Sequence, residues 1–299
     1  MTSQFNRTAI FISLGLSIVM VLAVLFGAKY VFTNTAKAPV AVSPVDSPEA
    51  DSQACTDFVH ALPDEAMGQP RADIAEPVPA GVAAWAANSQ EKVTARCGVA
   101  MPFQYTDYST TQDVDGEQWF QVKDATSGSD LSTWYSTQRF PIVAVTTFND
   151  EKPQDLNEAV ATLENKPAET HPAPLRDLKP AKNDRCAAVE KALPDEIADG
   201  YHRREVDDKD TYVWSSEGHE DIVARCGIAQ PENYEAGVQL QQVNDIAWFE
   251  DTTLAQGTTA GTWFALGREN YLALHAPQDS AQAALVALSD ITAKHVPER

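Results

Sequence analysis

From Ala9 to Ala28 the chain runs through twenty residues without a formal charge, most of them Ile, Leu, Val or Phe. At a rise of about 1.5 Å per residue such a run reaches about 30 Å, the thickness of the bilayer's hydrocarbon core, and a helix satisfies every backbone group inside it. The pattern predicts a transmembrane helix over 9–31 behind a short cytoplasmic tail, 1–8. A secretory signal peptide has a shorter apolar core, about 7–15 residues. The cleavage alternative is carried by Ala36-Lys37-Ala38 alone. Over 32–53 the composition turns to Ala, Pro, Val, Ser and Asp, which predicts a tether.

Beyond the tether the chain repeats itself. Cys55 and Ala61-Leu62-Pro63-Asp64-Glu65 return as Cys186 and Ala192-Leu193-Pro194-Asp195-Glu196, an offset of 131. Arg96-Cys97-Gly98 returns as Arg225-Cys226-Gly227, and Trp85, Trp119 and Trp134 return as Trp214, Trp248 and Trp263, all at an offset of 129. Every Trp therefore belongs to a repeat pair. Two domains are expected, over 54–166 and 185–299, joined by a proline-containing linker over 167–184.

Within each repeat the apolar spacing predicts a short first helix ended by proline, over 54–61 and 185–192. Val93–Val99 and Ile222–Ile228 read as strands entering a Cys-Gly bend. Three further strand pairs are expected: 117–122 with 246–250, 133–135 with 262–266, and 141–147 with 270–275. A closing helix follows each Pro, over 154–165 and 278–294. The fold class is α+β: two similar domains, each a small antiparallel sheet of three or four strands covered by helices, preceded by one transmembrane helix.

Charge narrows the partners. With 22 basic and 43 acidic side chains the net charge is -21, so a phosphate-binding surface of the basic kind, and nucleic acid with it, is excluded. Basic residues flank the span too evenly to orient it, with Arg7 before and Lys29 and Lys37 after. The cysteines and the acidic bulk after the span instead favour a large extracytoplasmic region. Matching positions make Cys55–Cys97 and Cys186–Cys226 the preferred disulfides among three connectivities. No Cys-x-x-Cys or zinc-type spacing occurs, so no metal or cofactor is expected.

Candidate chemistry is sparse. Arg96 and Arg225 read as partners of a carboxylate or cover for a sheet edge, with ligand binding as the alternative. The six Trp read either as core plugs or as a stacking platform for carbohydrate or peptide, one residue of each Trp-Phe pair facing away from the helices. The histidines, His60, His171, His202, His219, His275 and His295, do not recur between repeats; only His202 and His219 remain candidates for catalysis. Asp64-Glu65 and Asp195-Glu196 read as caps at the start of a turn or short helix, and Asp113–Glu117 as a hairpin turn. No dinucleotide, phosphate-loop, nucleophile-elbow or metalloprotease motif is present.

The order Cys, Leu-Pro, Trp, Arg-Cys-Gly, Trp-Phe behind a membrane span resembles the actinobacterial envelope-associated family of domain of unknown function 3515. The likeness falls on Cys55, Leu62-Pro63, Trp85, Arg96-Cys97-Gly98 and Trp119-Phe120, and again on Cys186, Leu193-Pro194, Trp214, Arg225-Cys226-Gly227 and Trp248-Phe249. It implies a membrane-anchored extracytoplasmic protein, here in tandem form, and no reaction. The expectation is a noncatalytic envelope protein whose partners are the cytoplasmic membrane and an envelope protein or cell-wall polymer. The rival is a polysaccharide or peptide hydrolase or transferase with its site between the repeats.

Overall fold

The computed structural model describes residues 7–35, 39–88, 91–126, 128–235, 237–255 and 257–299. The apolar run forms one helix, Arg7–Thr35, of which Phe11–Val31 is long and apolar enough to cross a membrane and is not buried against the rest of the protein.

Each repeat folds around an antiparallel sheet whose strand order is the same in both. In unit one the order is Val82–Ala86, Lys92–Cys97, Val143–Phe148, Leu131–Ser136, Glu117–Lys123, Gln112–Val114. In unit two it is Thr211–Ser215, Ile222–Ile228, Tyr271–Pro277, Ala260–Ala265, Ile246–Glu250, Gln241–Val243, extended at the first edge by the hairpin Glu196–Ala198/Tyr201–Arg204. The register repeats too: Trp85 faces Val93 where Trp214 faces Ile222, and Trp134 faces Val145 where Trp263 faces Leu274. The sheets are thus larger than three or four strands. Val82–Ala86 is buried along its whole length, so it shows no alternation to find.

The helices cover one face of each sheet. Gln53–Ala61, capped by the Ser52 side chain, and Cys186–Glu190 are the short first helices, and Gln278–His295 closes unit two. The closing helix expected over 154–165 is corrected: only a 3-10 turn, Gln154–Leu156, and one turn of α-helix, Asn157–Val160, form. Beyond it Arg139 donates to the carbonyls of Ala161 and Leu163, and Glu164–Asn165 pairs with Arg139–Phe140 as strand. Leu156, Val160 and Leu163 are buried nonetheless, so the apolar spacing marks packing correctly where it misjudges helix length. Asp64-Glu65 and Asp195-Glu196 open hairpins rather than helices. The Glu196 carboxylate accepts from the backbone N–H of Gly200 at 2.9 Å.

All six Trp point to the helix-covered side and lie in the cores, none more than 3% exposed. Trp85 donates to the carbonyl of Pro63 at 3.0 Å and Trp214 to that of Pro194 at 2.9 Å, the same bond in both copies. Trp119 and Trp248 donate to Asn157 and Ser289, both on closing segments. The third pair differs. Trp134 donates to Thr147 at 3.2 Å, whereas Ala276 stands at the corresponding position of unit two and Trp263 Nε1 has no acceptor among the described residues. Trp134→Phe is therefore expected to cost about 1 kcal/mol more than Trp263→Phe, since only the first loses a hydrogen bond; paired urea titrations check it.

The segment leading into each unit crosses the sheet's outer face. Val40 is buried against Ala84 and Ala86, bonded to the backbone of Asp73 and Ala75, and the linker residues Ala173 and Leu175 cover Val213 and Phe264 in the same way. Within the 32–53 tether, Val40, Ser43 and Glu49 thus make contact with unit one. Here the Arg-Cys-Gly motif finds its physical meaning. Arg96 donates to the carbonyl of Ser43 at 2.6 Å, and Arg225 to those of Leu175 and Arg176, both at 2.6 Å. The Cys ties the first helix to the sheet: Cys55–Cys97 and Cys186–Cys226 are bonded, with Cα atoms 5.4 and 5.7 Å apart. Gly98 and Gly227 take left-handed φ values of 84° and 72°, and a Cβ there would lie 2.4 Å from the Ala50 nitrogen or 2.5 Å from Asn183 Cβ. Only Gly admits so close a leading segment.

Candidate binding site at the junction of the two units

The loop between the second and third strands of unit one's chain reaches into unit two. Its Tyr108 is buried in the outer-face cluster of the second sheet, and its hydroxyl donates to Asp208. Burial, with the Asp208 charge beside it, pushes the Tyr108 phenol up to about 12. Asp208 is held below the usual carboxylate range by the bonds from Tyr108 and Arg176. Arg176, on the linker, also pairs with Asp107, so one guanidinium joins the linker to both units. Arg204 donates to the carbonyl of Tyr108 and pairs with Asp221 at 3.1 Å, while the Lys123 N–H donates to the carbonyl of Gly218 at 2.7 Å. These contacts hold the two units against each other.

Between them lies a cavity of about 190 Å³, lined by Ser109, Gln112 and Gln121 of unit one and by Glu217, His219 and Asp221 of unit two. Burial raises the Asp221 carboxyl above its ordinary value against the pull of Arg204. Burial, reinforced by Lys123, lowers His219 below 6.5. A histidine whose folded pKa is depressed favours the folded state while neutral, so its contribution is intact above about pH 6.5 and is lost as pH falls through the lower folded value. The thermal midpoint is expected to fall on acidification below pH 6.5 less steeply in His219→Gln than in the native chain.

The residues singled out in the sequence are scattered relative to this cavity. Of the two readings of the six Trp, core plug and stacking platform, the structure shows the first: every indole is buried in a core. Arg96 and Arg225 grip backbone carbonyls on the two outer faces, and His202 is exposed on a hairpin strand. Only His219 reaches the junction. Among the described residues no group of three or more His, Cys, Asp or Glu side chains is placed to hold a metal ion.

A second polar constellation escaped the sequence reading. On the outer face of the second sheet, His275 Nδ1 lies 3.1 Å from Thr262 Oγ1 and its Nε2 lies 3.2 Å from Glu220 Oε1. An ionised carboxylate only accepts, so His275 Nε2 donates to Glu220, while the threonine hydroxyl can donate or accept at Nδ1. Thr262 and His275 are cross-strand partners. At an offset of 129 their counterparts are Thr133 and Thr146, which bond to each other at 3.1 Å. The break in the repeat at His275 is the one sequence signal that marks this cluster.

No curated protein and no solved structure matches the chain. The sequence pattern of one family matches it twice, over residues 14–171 and 157–299. The second match starts ahead of the linker, as the first starts ahead of residues 39–52, in keeping with leading segments that belong to the units they cross. Two matches spanning nearly the whole chain, on two copies of one strand order, establish that the chain belongs to the family described as protein of unknown function (DUF3515), in tandem-duplicated form.

Proposed function

We propose that this chain is a membrane-anchored, extracytoplasmic envelope protein that presents two joined DUF3515 units to an envelope protein or cell-wall polymer and catalyses no reaction itself. The observation that carries the reading is the use of the duplicated residues. Every repeated motif residue is engaged in construction: Trp in the cores, Arg on leading-segment carbonyls, Cys in staples, Gly at close approaches. On the unit-two side the junction cavity is lined by Glu217, His219 and Asp221, which unit one does not repeat, and such a junction is where binding sites commonly lie. Two disulfides suit an oxidising compartment.

The anchor sets the geometry. Helix Arg7–Thr35 ends five residues before Val40, which is already packed on unit one, so that point of the unit lies within about 18 Å of the helix end. The partner is then reached close to the bilayer. With a net charge of -21 on the chain, it is a neutral or basic surface rather than a polyphosphate. The hydrolase or transferase reading needs opposed carboxylates beside Trp. At the junction the lining carboxylates, Glu217 and Asp221, both come from unit two, and Asp221 is paired with Arg204.

Site-specific photocrosslinking in intact cells tests the reading. A crosslinker in place of Glu217, at the junction, is expected to give a discrete higher-mass adduct; the same group in place of Val286, on the outer side of the closing helix, is not. Equal labelling from both positions, or none from Glu217, would contradict it.

A further inference from the structure

We propose that unit two binds a small primary ammonium compound in the cavity between the outer face of its sheet and the linker, with Glu220 as the counter-ion. This goes beyond the macromolecular partner above and does not depend on it. The cavity encloses about 180 Å³, and Phe103, Leu175, Leu254 and the prolines 172 and 174 give it an apolar lining. Among its polar lining residues, which also include Thr106, Arg176, Asp177 and Thr258, Glu220, His275 and Thr262 touch one another.

Those three groups are organised so that one acceptor is left over. His275 satisfies Glu220 Oε1 and is itself satisfied by Thr262, whereas Glu220 Oε2 is buried with no donor among the described residues. A buried carboxylate oxygen without a donor is costly, and a ligand that brings a charged N–H recovers that cost. The neighbouring cation does not compete: Arg176 also lines the cavity, but its guanidinium is engaged by Asp107 and Asp208. An apolar body with a cationic head is the chemistry this arrangement recognises. A cavity of about 150 Å³ holds a benzene, so a six-carbon ring is a suitable body.

The roof is fixed in place. Arg225 donates to the carbonyls of Leu175, Arg176 and Leu178, and Arg176 ties the same segment to both units, so the linker wall of the cavity is preformed and it is the Glu220 carboxylate that turns to present Oε2. The duplication supplies an internal control. In unit one the equivalent of Glu220 is Glu91, whose carboxylate accepts from Asn88, and the imidazole position holds Thr146. The same fold without His275 builds no such cluster, so the site belongs to the second copy.

The test uses the full chain in nanodiscs and follows its thermal midpoint against cyclohexylammonium, cyclohexanol and cyclohexanecarboxylate. Cyclohexylammonium is expected to raise the midpoint saturably, with an apparent affinity at least tenfold tighter than that of the alcohol, and the carboxylate to have no effect. Glu220→Gln should weaken the ammonium response at least tenfold. Ala173→Leu, which fills the cavity from the linker while leaving Glu220 in place, should abolish it and supplies the answer should the first variant fold poorly. No saturable shift in the native chain, equal binding of the alcohol, or a response unchanged in the folded variants would overturn the proposal. Because no envelope protein or cell-wall polymer enters the assay, its outcome is read separately from the crosslinking.

Discussion

Replacing Cys186 and Cys226 together by Ala is expected to lower the unfolding free energy by about 4 kcal/mol, the chain-entropy value for a loop of about 40 residues. The corresponding change at Cys55 and Cys97 is expected to cost the same, because the two bridges close loops of nearly equal length, with separations of 42 and 40. Set against a typical total of about 5–15 kcal/mol, the loss is large. The bridge joins the first helix to the strand that carries the Arg and Gly of the same motif, so its removal also loosens the leading segment. Urea unfolding followed by tryptophan fluorescence measures it, each unit carrying three reporters in its own core. A loss under about 1 kcal/mol in both double variants would show that the helices are held by packing alone.

The second large effect is expected from Trp85→Ala and Trp214→Ala, each costing about 3–5 kcal/mol. Both indoles are fully buried, and both donate to a proline carbonyl at the end of the first helix. Truncation leaves a cavity and strips the donor from that carbonyl. The two costs are expected to agree within about 1 kcal/mol, since the surroundings repeat. Val78→Ser, at a side chain 50% exposed, serves as the control and should change stability by less than about 0.5 kcal/mol. Unequal costs would mean that the two sheets are built differently around their first edge.

Much of this architecture is written in the sequence because duplication writes it twice. The offset of 129 that links the Trp residues also links their cross-strand partners, and Ile222–Ile228 and Ile246–Glu250 form the strands their branched residues predict. Strands buried on both faces are harder to read. Val82–Ala86 offers small apolar residues without alternation, because its outer face is covered by Val40 and its neighbours. That cover is itself invisible in composition: Ala, Pro and Val read as a tether until Arg96 is seen to grip it. Helix length failed at 161–165 for a tertiary reason, the claim of Arg139 on the carbonyls of Ala161 and Leu163.

The binding sites were less legible than the fold. Glu220 and His275 lie 55 positions apart, and Thr262 meets His275 only through the pairing of two strands. Neither relation has a sequence period. Ser109 and His219 line one cavity because contacts such as those of Tyr108, Arg176 and Lys123 seat one unit against the other. Trp, by contrast, was conspicuous in the sequence and is consumed by the cores.

Both halves share one plan, each stapled by its own bridge. Nonreducing peptide mapping of the full chain, extracted from membranes with free thiols blocked at lysis, addresses it most directly. Two linked peptide pairs are expected, Cys55 with Cys97 and Cys186 with Cys226, and no blocked thiol. Linkage between the halves, or four alkylated cysteines, would contradict it.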